Sequence, residues 1–144
     1  MVATEKLFNA FFVLLESDEW EGWRDDYMEQ DLTALMMAAI PFFKFPRCSL
    51  EVTEDGKNFV DDNITNTEIQ ILAHYMKYAW LGRVVDSWEN LRPLYTERDF
   101  SPAQQLSEFR ARQTEVGRMA KELEAVYYRS RDYKPFDYTT LAGV

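Results

Sequence analysis

Ser101-Pro102-Ala103-Gln104-Gln105-Leu106-Ser107-Glu108-Phe109-Arg110 opens the stretch that decides the fold, a helical run with no breaker until about Arg131. Ser101 can cap free N–H groups, Pro102 suits the first helical position, and Gln104 can reach back to the cap. Leu106, Phe109, Gln113, Val116, Ala120, Leu123 and Tyr127 then recur at alternating three- and four-residue steps. That spacing places them on one face of a single helix about 45 Å long, at about 1.5 Å per residue. Glu108 with Arg112, and Glu115 with Arg118, are ordinary supporting pairs along its surface.

Upstream, the same periodicity predicts three more helices. Leu7, Phe8, Phe11, Leu14 and Leu15 share a face, so residues of about 4–16 form the first. A second begins near Asp25 with Met28, Leu32, Leu35, Met36, Ala39, Ile40 and Phe43 inward. Pro41 should kink it or end it, and Pro46 closes the segment. Thr65-Asn66-Thr67-Glu68 is a capping box opening a third helix, with Ile69, Leu72, Ala73, Met76, Trp80 and Val84 inward as far as about Trp88. Between the second and third helices, Leu50, Val52, Phe59 and Val60 flank Glu54-Asp55-Gly56-Lys57. Asp-Gly in that setting predicts a small β-hairpin or extended loop over about 49–61, which must lean on helices or on a neighbour. The expected fold is all-α: a bundle of about four helices over residues 1–132 with this hairpin, then an extended C-terminal docking tail over 133–144.

The composition suits one globular domain: 144 residues, 47% apolar, 15% aromatic, a net charge of −9. The charge is uneven. Residues 1–72 carry 15 acidic against 5 basic residues, and residues 73–144 carry 10 against 11. An acidic surface repels nucleic acid, whose binding relies on Lys and Arg. Simple solubility explains the excess as well. Cys48 is the single cysteine, which precludes an internal disulfide and fits a reducing compartment. The N-terminus has no basic region of a signal peptide, and Leu7–Leu15 is too short to span a bilayer, so the expectation is a soluble, intracellular chain with no membrane partner.

Chemistry-bearing motifs are sparse. There is no glycine-rich phosphate loop, nucleophile elbow or zinc-type cluster, and His74 is the only histidine, expected to be structural. Glu51, Thr53, Asp55, Gly56 and Asp62 fall near calcium-loop spacing. Glu at the first place, Thr at the third and Asp at the twelfth depart from it, so a plain turn is the better reading. The acidic pairs Asp25/Asp26, Asp61/Asp62 and Glu122/Glu124 have no partner base. The expectation is therefore no enzyme, no cofactor and no metal. Trp20 and Trp23 sit in an acidic loop where one can face a partner. Tyr133, Pro135, Phe136, Tyr138 and Leu141 make the tail too aromatic for a solvated terminus, and docking on a neighbouring polypeptide is favoured over packing on its own bundle.

Ile64-Thr65-Asn66-Thr67-Glu68-Ile69-Gln70-Ile71-Leu72-Ala73-His74-Tyr75-Met76-Lys77-Tyr78-Ala79-Trp80-Leu81 resembles a segment of small virion proteins of tailed bacteriophages. Phe43-Lys44-Phe45-Pro46-Arg47 and Phe136-Asp137-Tyr138-Thr139-Thr140-Leu141-Ala142-Gly143 fit the same picture. The family is that of head–tail connector, or adaptor, proteins. The likeness covers most of the chain in layout and these segments in residues. It implies a ring of copies, typically a dodecamer, in the virion neck beneath the portal protein, extending the DNA channel and seating a tail or stopper protein. Double-stranded DNA would pass without specific binding, and Asp18, Glu19, Glu21, Asp25 and Asp26 would be candidates for facing it. The competing expectation is a small acidic protein that inhibits a host nucleic-acid enzyme by mimicking DNA.

Overall fold

A computed structural model of the chain describes residues 1–15, 28–91, 100–130 and 133–135, without the side chains of 28–30, 87–91 and 100–105. Four helices and a two-stranded antiparallel sheet make up this part: β1 (Val2–Ala3), α1 (Glu5–Leu14), α2 (Met28–Ala39), a 3-10 turn (Ile40–Phe42), β2 (Asn58–Phe59), α3 (Asn66–Leu91) and α4 (Phe100–Tyr128). The expected all-α bundle with its hairpin is the observed architecture.

Helix α3 is the axis. Helices α1, α2 and α4 all pack on it, so from Glu68 to Met76 every side chain except Gln70 is buried. Ile69, Leu72, Ala73 and Met76 are inward as the spacing predicts. Ile71, Tyr75, Leu81 and Val85 are also buried, because three other helices pack around α3. Its start is half of a capping box. Glu68 reaches back to accept the Thr65 backbone N–H at 3.0 Å, while the Thr65 hydroxyl also donates to that carboxylate.

Helix α1 buries Leu7 and Phe11 completely. The Lys77 ammonium donates to the Leu14 carbonyl at 2.8 Å, satisfying an acceptor that the helix end leaves free. In α2, Leu32, Leu35, Met36 and Ala39 turn inward. Pro41 then ends the α-helix as expected, by tightening it into the 3-10 turn.

The hairpin forms through a Val52–Phe59 bridge, and the N-terminal strand adds to it, pairing Val2 with Phe59 and Ala3 with Asn58. Phe59 is fully buried between the two. At the turn, Gly56 has φ +72°, a left-handed conformation that glycine adopts without strain. Asp55 accepts from the Thr53 hydroxyl at 2.6 Å and the Lys57 N–H at 3.0 Å, holding its carboxyl below the usual carboxylate range. These bonds make it the plain Asp-Gly turn. Thr4 is buried and donates its hydroxyl to the Gly56 carbonyl at 2.8 Å, which locks α1 to the turn.

The long helix begins at Phe100, two residues before the Pro102 start read from the sequence, and ends at Tyr128, short of Arg131. Leu106, Val116, Ala120 and Tyr127 are buried. Leu123 is not: it is 37% exposed.

Candidate functional site

Three features of the described residues have unusual surroundings. The first is an open groove of about 870 Å³ between α3, α4 and the 3-10 turn. Phe42, Tyr75, Tyr78 and Tyr128 supply its aromatic surface, and Lys44, Arg118 and Lys121 its cations. Phe42 stacks on Tyr75 with centroids 5.5 Å apart and meets Tyr78 edge-on at 5.7 Å. Gly117 lets the Tyr78 ring lie directly against α4, since a Cβ there would sit 3.0 Å from the ring. Glu124, buried on α4, accepts hydrogen bonds from the hydroxyls of Tyr75 and, at 2.6 Å, Tyr128. Burial pushes both phenols up, and the bond to the carboxylate pushes them further. Arg118 is held by Glu115 and Glu122. Lys44 and Lys121 have no acidic partner among the described residues.

The second is a polar knot around Glu68, which is 1% exposed. Its carboxylate accepts from the Tyr127 hydroxyl at 3.2 Å and faces the Arg47 guanidinium at 3.5 Å, with the Cys48 sulfur 3.9 Å away. Arg47 also lies 5.0 Å over the Tyr127 ring, and its backbone N–H donates to the Tyr127 oxygen at 2.6 Å. Burial pushes the Cys48 thiol up to about 12, with the Glu68 charge adding to it, so at neutral pH it is a protonated, unreactive thiol. Burial likewise pushes the Tyr127 phenol up to about 12, opposed by the Arg47 N–H. The knot joins the segment after α2 to the first turn of α3 and the last turn of α4. Its chemistry is structural.

The third is a stripe on the outward face of α4, Met119, Leu123 and Val126, exposed by 41, 37 and 64%. The spacing of four and then three residues puts them in one row. The sequence reading missed this row because Leu123 was assigned inward and Met119 and Val126 were not assigned.

Of the residues singled out beforehand, Tyr133 and Pro135 lie within the described part. Tyr133 doubles back onto its own bundle: its ring is 5.2 Å from that of Tyr128 and 5.4 Å from that of Tyr127, and its hydroxyl donates to the Phe45 carbonyl at 2.8 Å. These contacts lie within its own subunit and leave the ring half-buried. Pro135 is exposed. Phe136, Tyr138, Leu141, Trp20, Trp23, Asp18, Glu19, Glu21, Asp25 and Asp26 lie outside the described residues. His74, buried, donates from Nδ1 to the Gln70 carbonyl at 2.7 Å, a structural histidine. Among the described residues no three His, Cys, Asp or Glu side chains gather as a metal site, and no helix is long and apolar enough to cross a membrane. Comparison with protein-family models, curated proteins and solved structures finds no match for the chain.

Proposed function

We propose that this chain is a structural subunit of a phage neck, assembling into a ring between the portal and the tail and lengthening the DNA channel. The observation that carries the reading is the row of Met119, Leu123 and Val126 on the outer face of α4. Three neighbouring apolar side chains on a helix about 44 Å long stand 37–64% exposed among the described residues, and such rows mark interaction surfaces. Around them Glu115, Arg118 and Glu122 form ion pairs within the helix, as in a polar rim. A ring closes through two different patches per copy, so the row would meet a different face of the next subunit. The resemblance of the Ile64–Leu81 segment to connector proteins supports the same reading, and the acidic first half suits a wall that DNA slides past.

The experiment is negative-stain imaging and sedimentation of the protein, alone and mixed with the portal protein of the same phage. A ring is expected in at least the mixture. Leu123→Asp with Val126→Asp should abolish it while the circular-dichroism spectrum and melting stay near wild type, since both side chains face outward. A wild-type protein that stays monomeric with and without the portal overturns the reading.

A further inference from the structure

We infer that the row of Met119, Leu123 and Val126 on one copy of this chain seats in the aromatic groove between α3 and α4 of the next copy. This rests on the ring reading and names the second patch that a closed ring requires.

The two patches occupy opposite flanks of one helix. Val116, Ala120 and Tyr127 form the buried line of α4. At about 100° per residue, Gly117, Lys121, Ala125 and Tyr128 fall to one side of that line, where they border the groove. Met119, Leu123 and Val126 fall to the other side. Row and groove thus point about 180° apart around the helix, so a copy cannot bring its own row to its own groove. A two-fold axis would set row on row or groove on groove. Row in groove is instead a head-to-tail contact, which leaves one patch free at each end until the string of copies closes.

Shape and charge agree. A row at steps of four and then three residues stands as a ridge on the helix surface. It runs about 10 Å along α4, and the groove runs about 22 Å, from Gln113 to Tyr128. Phe42, Tyr75, Tyr78 and Tyr128 give the apolar side chains rings to lie on, and the Met119 thioether packs favourably on such rings. Phe42, 43% exposed, would be covered. Beside the row, Glu108, Glu115 and Glu122 recur every seven residues, all exposed. Arg118 serves both Glu115 and Glu122, so that pair keeps one negative charge in excess. The groove offers Lys44 and Lys121, which lack acidic partners among the described residues. An acid-edged ridge therefore meets a cation-edged furrow, which offsets the repulsion between copies that each carry a net charge of −9.

The test is cross-linking of two full-length variants. Leu123→Cys puts a thiol in the row, and Ala125→Cys puts one in the groove. Cys48 is buried and protonated, so it does not compete. Equal amounts of the two are mixed with a short bismaleimide, and the dimers are sorted by mass spectrometry. The 123–125 product should exceed either like pair at least about ten-fold, because a seated row raises the effective concentration. Lys44→Glu with Lys121→Glu in the groove partner should cut that product about ten-fold. Glu115→Lys with Glu122→Lys in the row partner should restore it. All four side chains are exposed, so circular-dichroism spectra should stay unchanged. Mainly 123–123 or 125–125 dimers would show a two-fold contact and overturn the inference. A random mixture of products, or no dimer, overturns it too. A wild-type ring without the 123–125 excess would remove this seating alone and leave the ring reading standing.

Discussion

Glu68 concentrates more of the bundle's polar bonding than any neighbouring side chain. It is buried, yet the Thr65 N–H, the Thr65 and Tyr127 hydroxyls and the Arg47 guanidinium all converge on it. Removing a carboxylate of this kind leaves its donors unpaired in a dry site, which costs more than the bonds themselves contribute. Glu68→Ala should destabilise the fold by about 3 kcal/mol, with Glu68→Gln losing about half as much, as read by urea unfolding. The same burial sets an alkaline limit. Cys48 and Tyr127 both hold their protons to about 12 in the folded chain, above the ordinary values of 9.0 and 10.0. Unfolded chains release those protons first, so the stabilisation is complete below about pH 9 and is lost as pH rises through 12. Urea midpoints followed by circular dichroism should be level from about pH 7 to 8.5 and fall steeply by about pH 11. A flat profile across that range would show that these groups titrate freely.

Two glycines on the long helices should respond oppositely to a methyl group. A Cβ at Gly82 meets only the Gln113 amide nitrogen, the far end of a flexible side chain. Gly82→Ala should therefore stabilise by about 0.5–1 kcal/mol through helix propensity. At Gly117 the same methyl lands against two atoms of the Tyr78 ring, so Gly117→Ala should gain nothing or lose stability. Thermal melts of the pair decide it. Elements like these were largely legible in the sequence, because their signals are local. The Thr65–Glu68 box marks the start of α3, Asp55-Gly56 marks the turn, and Pro41 marks the end of α2. The Val2–Ala3 strand was not legible: its pairing is with residues more than fifty positions away, and two residues carry no periodicity. Leu123 was misassigned because, at about 100° per residue, three-four counting carries it to the edge of the face that Ala120 and Tyr127 bury.

At the scale of the whole molecule, the groove was invisible to sequence reading because its walls come from three separate segments, with Phe42, Tyr75 and Gly117 adjacent only after folding. The tail's aromatic character was visible, but its first anchor on Tyr127, Tyr128 and Phe45 was not. Function follows the same division. The proposed virion role draws on the Ile64–Leu81 likeness, while the exposed row on α4 is a property of the assembled bundle. For that reason, charge placed at Leu123 and Val126 is expected to disrupt association and not folding. The middle of the chain also receives both of its ends: residues 2–4 bind the turn at 56–59, and Tyr127, Tyr128 and Tyr133 close over Phe43, Phe45 and Arg47. A ribosome must therefore add the eighty residues after Arg47 before the Arg47 and Glu68 charges acquire their lid. Commitment to the final shape waits for α4, and a nascent chain stalled before Tyr127 would stay open to proteases.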